Sequence, residues 1–168
     1  MQRRTLFKLG VASAATLALA GGAAAWLQPG LQAGKLGAAG REVFKAVGRA
    51  VLAGSLPTDG DARQRALGAL LDRVDTLALA LPPHTQLELS QLLSLLASAP
   101  GRSLLAGLHE PWSSAGENQI QTALQDMRLS TLALRRQAYA ALHDITAAAY
   151  FSDVATWGQL GYPGPLKI

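Results

Sequence analysis

Between Arg41 and Ala149, apolar side chains recur at spacings of three and four residues, interrupted at Gly54-Ser55-Leu56-Pro57, Pro82-Pro83 and Pro100-Gly101. That period lays them along one face of a helix, and no stretch alternates with period two for long enough to make a strand. The chain is thereby confined to helix-on-helix packing, a small all-α helical bundle with short connections. It contains no cysteine. Disulfides, thiolate metal sites and a Cys-x-x-Cys-His haem attachment are excluded, so packing must carry the stability.

The first helix is expected from about Arg41 to Ala53, with Val43, Phe44, Val47 and Val51 inward and Arg41, Lys45 and Arg49 opposite. Thr58 to Asp61 offers an N-cap for a second helix carrying Leu67, Leu70, Leu71, Val74, Leu77 and Leu81, ended by Pro82-Pro83. Asp59, Asp61, Asp72 and Asp75 fit capping and a solvated face; a calcium loop needs more alternating oxygen ligands and a distant Glu. Thr85-Gln86-Leu87-Glu88 reads as a capping box opening a leucine-dense helix to Ser98, expected at the centre of the core because Leu87 and Leu95 widen its apolar face. A short helix over Arg102 to Leu108 and a loop at His109-Glu110-Pro111-Trp112 follow. Ser114-Ala115-Gly116-Glu117 reads as a second capping box, opening a helix with Ile120, Ala123, Leu124 and Met127 inward. A break near Ser130 separates it from a last helix marked by Tyr139, Leu142, Ile145 and Ala149.

Ahead of the bundle, Gln2-Arg3-Arg4-Thr5-Leu6-Phe7-Lys8 precedes a charge-free run from Leu9 to Leu27. Positive charge followed by an apolar run is the order of an export signal. The pattern resembles the twin-arginine (Tat) signal, Ser/Thr-Arg-Arg-x-Phe-Leu-Lys, with Arg3, Arg4 and Lys8 matching; Gln2 replaces the hydroxyl residue, and Leu6-Phe7 reverses the usual order. The export motif is thus Arg3, Arg4, Phe7 and Lys8. Guanidinium forks suit a receptor that reads them with carboxylates, which lysine cannot imitate. The run is near the ~20 residues of a spanning helix. Its Ala, Gly, Ser and Thr content favours a signal, and Ala23 and Ala25 fit a small-residue cleavage site; uncleaved, the same segment would be an inner-membrane anchor with Trp26 at the interface. Without cysteine there is no lipoprotein anchor. The sequence divides into residues 1–27 as a signal or transmembrane-like helix, 28–40 as a flexible Gly-rich linker, and 41–168 as the helical domain with its tail at 150–168.

The chain has 15 basic and 11 acidic residues, and three of the basic ones belong to the leader. The remainder is close to neutral and lacks the basic stripe of a nucleic-acid binder. His84, His109 and His143 are far apart with no second His at ligand spacing, and adjacent His143-Asp144 point about 100° apart on a helix. No phosphate-binding loop, Gly-x-Gly-x-x-Gly or Gly-x-Ser-x-Gly is present. No catalytic residue, metal ligand or cofactor cradle is expected, and His109-Glu110 is the least implausible polar contact site. Arg135-Arg136 reads as a solvated basic face or an ion-pair partner for a companion subunit.

The end differs in kind. Tyr150 to Pro165 is an irregular aromatic, Gly/Pro-rich tail that cannot remain helical past about Trp157. Its Tyr150, Phe151, Trp157, Tyr162, Pro163 and Pro165 either wrap onto the bundle or meet a partner, for which Trp and Tyr are the effective anchors.

The chain resembles the gluconate 2-dehydrogenase subunit 3 family, the small gamma subunits of flavin-dependent glucose-methanol-choline type dehydrogenases. The residues carrying this are Val51-Leu52 to Leu56-Pro57, Pro111-Trp112, Arg135-Arg136-Gln137-Ala138-Tyr139-Ala140-Ala141-Leu142-His143, and Ala149-Tyr150-Phe151 through Trp157 to Gly161-Tyr162-Pro163-Gly164-Pro165, with the twin-arginine label. The resemblance implies a noncatalytic periplasmic subunit that holds no cofactor itself. Its partners would be the Tat translocase, an FAD-dependent catalytic subunit without its own signal and, in many such complexes, a multihaem cytochrome c subunit. The residues also allow a free-standing periplasmic or inner-membrane-tethered bundle, serving as a ligand carrier or scaffold.

Overall fold

A computed structural model describes residues 28–164. The export motif Arg3, Arg4, Phe7 and Lys8, the cleavage positions Ala23 and Ala25, and Pro165 lie outside the described residues. Those described form an all-α bundle, and none of its helices is long and apolar enough to cross a membrane.

The Gly-rich stretch read as a linker is built into the fold. Leu31–Gln32 (β1) and Lys35–Leu36 (β2) pair antiparallel, Leu31 opposite Leu36, around Ala33-Gly34. Both turn residues take positive φ, 50° and 78°, as a two-residue turn matched to strand twist requires. The Gly30 and Leu31 amides donate to the hydroxyls of Ser94 and Ser90, and Leu31 and Leu36 are buried. Two-residue strands are too short to show a period, which is why the sequence hid them.

Helix α1 (Ala38–Val51) follows directly. It packs against α2 (Gly60–Leu79), α3 (Pro83–Ala97), α5 (Glu117–Arg128) and α6 (Ala133–Phe151), and is the central element. The leucine-dense α3 is more peripheral than its composition suggests: Leu89, Leu93 and Leu96 are buried, but Leu87 is 65% exposed. Small residues decide the difference. Gly40, Ala46, Gly48 and Ala50 give α1 flanks that neighbours can approach closely, and a Cβ at Gly48 would stand 2.7 Å from Leu70 Cδ2.

Helix starts depart from the sequence reading in instructive ways. Asp59 caps α2 as expected, accepting from the Ala62 amide at 2.7 Å. Pro82-Pro83 does more than stop α2, because Pro83 is the first residue of α3, where a missing N–H costs nothing. Thr85 therefore lies inside the helix rather than at its cap. Its neighbour Gln86 donates through Nε2 to Leu81 O at 3.0 Å, serving the end of α2. The start of α5 is also shifted: Gly116 is the cap, its amide donating to Gln119 Oε1, while Ser114 bonds back to Pro111 O.

Between α3 and α5 the chain makes α4 (Ala99–Gly101) and a π-helical turn, Arg102–Ala106, closed by Gly107 in the left-handed region at φ 70°. Buried Arg102 donates to the Ala97 and His109 carbonyls. The following loop contains Trp112, the largest fully buried side chain among the described residues, whose Nε1–H donates to Leu96 O at 2.7 Å. Arg49, expected on the solvent face of α1, reaches the Trp112 carbonyl, and Glu42 accepts from both the amide and hydroxyl of Ser113. The loop is thus strapped across α1. The expected break near Ser130 separates α5 from α6.

Candidate functional site

The tail begins as the last turn of α6. Tyr150 is buried, 3% exposed, and its hydroxyl donates to Ser55 O at 2.7 Å. It is a core residue, which corrects its assignment to a partner surface. Phe151 is half-buried, edge-on to Tyr150 with centroids 5.2 Å apart.

Beyond α6 a 3₁₀ segment, Val154–Leu160, carries helical structure past the expected limit at Trp157. Asp153 caps it, accepting from the Ala155 amide at 2.9 Å. Buried Thr156 returns its hydroxyl to Asp153 O. Arg73 of α2 ties this junction to the bundle, with Nε donating to Ala149 O at 2.8 Å and Nη1 to Asp153 Oδ2 at 3.1 Å. A cation over the terminal carbonyls of a helix also complements its dipole.

Trp157 folds back, Nε1–H donating to Phe151 O at 2.9 Å, and its ring meets Tyr162 at 5.2 Å. Gly161 permits the reversal at φ 65°. Polar atoms and indole body are thus held by the chain itself, while Val154, 66% exposed, Tyr162, 48% exposed, and Pro163 face outward. Of the sequence-assigned contact residues, Trp157, Tyr162 and Pro163 come together in one ledge, Phe151 supports it, and Tyr150 is removed from it. Exposed Val154 lies one 3₁₀ turn before Trp157, on the same face of that segment, and escaped the sequence reading because a lone valine carries no interface signal.

The polar candidates also find places. His143 Nδ1 lies 2.9 Å from Asp144 Oδ1, so the adjacent pair does meet; side-chain rotation overcomes the angular separation of the Cβ vectors. The ring also stacks on Tyr139 at 5.4 Å. His109 Nδ1 is 3.5 Å from Ser103 Oγ, and His109, Glu110 and Asp126 line an open cleft of about 340 Å³ beside α5. No group of three His, Asp or Glu fit to hold a metal occurs among the described residues.

Two charged assignments change. Asp75, read as solvated, is buried: Oδ1 accepts from the Leu36 amide and Oδ2 from Arg41 Nη2, each at 2.7 Å. Arg135 is half-buried and donates to the Leu105 carbonyl, while Arg136 stays on the solvated face and donates to the carbonyls of Ser130 and Thr131. Sequence spacing finds charge but not the free carbonyls at helix ends that attract it.

The fold defines the class: a small all-α bundle with a clamped aromatic tail. Comparisons of the chain with protein-family models, with curated proteins and with solved structures found no match.

Proposed function

We propose that the chain is a noncatalytic export escort and assembly subunit, the small partner of a periplasmic flavin-dependent dehydrogenase of the glucose-methanol-choline type. The observation that carries this reading is the twin-arginine motif Arg3-Arg4 ahead of a bundle in which no cofactor-binding motif is legible. The Tat route suits cargo folded before export, and a flavoprotein that binds FAD in the cytoplasm is such cargo. The resemblance of the tail to gamma subunits names the class of partner, and a cytochrome c subunit would accept its electrons. The ledge of Val154, Trp157, Tyr162 and Pro163 supports a docking role: clamped through Arg73, it would bind with little ordering cost.

Replacing Arg3 and Arg4 together by lysine should strand a second, larger flavoprotein in the cytoplasm, read by fractionation and flavin fluorescence. Normal export of that protein in the double variant overturns the reading. In parallel, Val154→Ser with Tyr162→Ser should abolish its co-purification while the bundle stays folded.

A further inference from the structure

Three leucines are exposed on two adjoining segments of the bundle: Leu104 is 76% exposed, Leu129 67% and Leu132 61%. They come from the π-helical turn and from the α5–α6 connection, two segments joined where Arg135 Nε donates to Leu105 O at 2.7 Å. The turn packs on both α5 and α6. Leucines left in water forgo about 25 cal/mol for each Å² they would bury, so a cluster of them marks surface that is covered in use.

Charge says by what. Residues 102–107 and 128–137 contain Arg102, Arg128, Arg135 and Arg136 and no Asp or Glu, in a chain otherwise near balance. None of these four takes part in an ion pair among the described residues. Arg102 is buried, while Arg135 and Arg136 are held against carbonyls that fix their position without cancelling their charge. Exposed Arg128 completes the rim. The carboxylates of Asp126, one turn before Leu129, and Glu110 line the neighbouring cleft.

We propose that this face docks on an anionic phospholipid surface, the leucines entering the interface and the exposed Arg128 and Arg136 reaching headgroup phosphates. Leucine with arginine is the composition of an interfacial membrane contact. A protein partner would be met by Trp or Tyr, since leucine is under-represented among interface anchors, and neither segment contains an aromatic residue. The inference does not depend on the escort reading.

The absence of cysteine provides the test. A single Leu129→Cys in the full chain carries a polarity-sensitive dye, and Gln64→Cys on α2 serves as control, so that attachment through residues 1–27 affects both alike. On phosphatidylglycerol-containing vesicles the dye at 129 should shift to the blue and become shielded from aqueous iodide, but not on pure phosphatidylcholine; the control dye should stay accessible on both. Adding Arg128→Gln should lower the docked-to-undocked ratio roughly fivefold at low salt. The proposal is overturned by a dye that remains accessible on anionic vesicles or is shielded equally on neutral ones. It is overturned as well by shielding without vesicles as protein concentration rises, which means a second copy, or by shielding with polyglutamate alone, which means an acidic protein partner.

Discussion

Asp75 shows how much one side chain can organise. Its carboxylate joins the hairpin, through the Leu36 amide, to α1, through Arg41. Arg41 is partly exposed, with 42% of its side chain accessible, so solvent screens that ion pair, while the bond to the Leu36 amide is buried. Asp75→Ala should cost about 2 kcal/mol, the scale of a hydrogen bond to a charged group, read by urea unfolding. Exchange of the Leu36 amide should accelerate more than that of the α6 amides; equal acceleration would mean that Asp75 does not tie down the hairpin. The spacing of Leu67, Leu70, Leu71 and Val74 located the buried face of α2 in the sequence. It did not place Asp75 there, because a carboxylate enters a core only where donors converge, and these come from residues 34 and 39 positions away.

Among the elements, α1 owes its central position to what its residues lack. A Cβ at Gly40 would collide with the Gly30 carbonyl, and one at Gly30 with Leu93 Cβ, so the hairpin reaches α1 and α3 only because both positions are glycine. Gly40→Ala should destabilise the protein by about 1–3 kcal/mol despite alanine's better helix propensity, since overpacking against backbone outweighs a propensity gain near 1 kcal/mol. A thermal melt showing stabilisation would refute the close approach. Apolar periodicity located α1, α2, α3, α5 and α6 in the sequence to within a few residues. Centrality was not legible there, because leucine content reports how much an element can bury, whereas small residues report how near its neighbours come.

For the whole molecule, the tail is part of the fold before it is anything else. Tyr150 fills the core and holds Ser55, and Arg73 holds the end of α6. Tyr150→Ala should therefore lower stability by about 3 kcal/mol, as large-to-small core changes do, measurable by chemical denaturation. A loss below about 1 kcal/mol would show the tail to be dispensable to the bundle. Truncation from Tyr150 would confound folding with binding, which is why the docking test uses the outward Val154 and Tyr162. The aromatic composition of this segment was plain in the sequence, but its division into anchored and presented rings was not.

Composition and periodicity by themselves determined that this chain builds helices, that it packs without disulfides, and that a short basic stretch and an uncharged apolar run precede the bundle; these are local properties, carried by residues a turn or two apart. Only the tertiary structure decided that Trp112 is core, that the Gly-rich linker is a docked hairpin, and that Arg49, Arg73 and Arg135 bind backbone carbonyls. Each depends on where distant segments leave space or unsatisfied oxygen, a quantity that exists only once the chain has closed on itself.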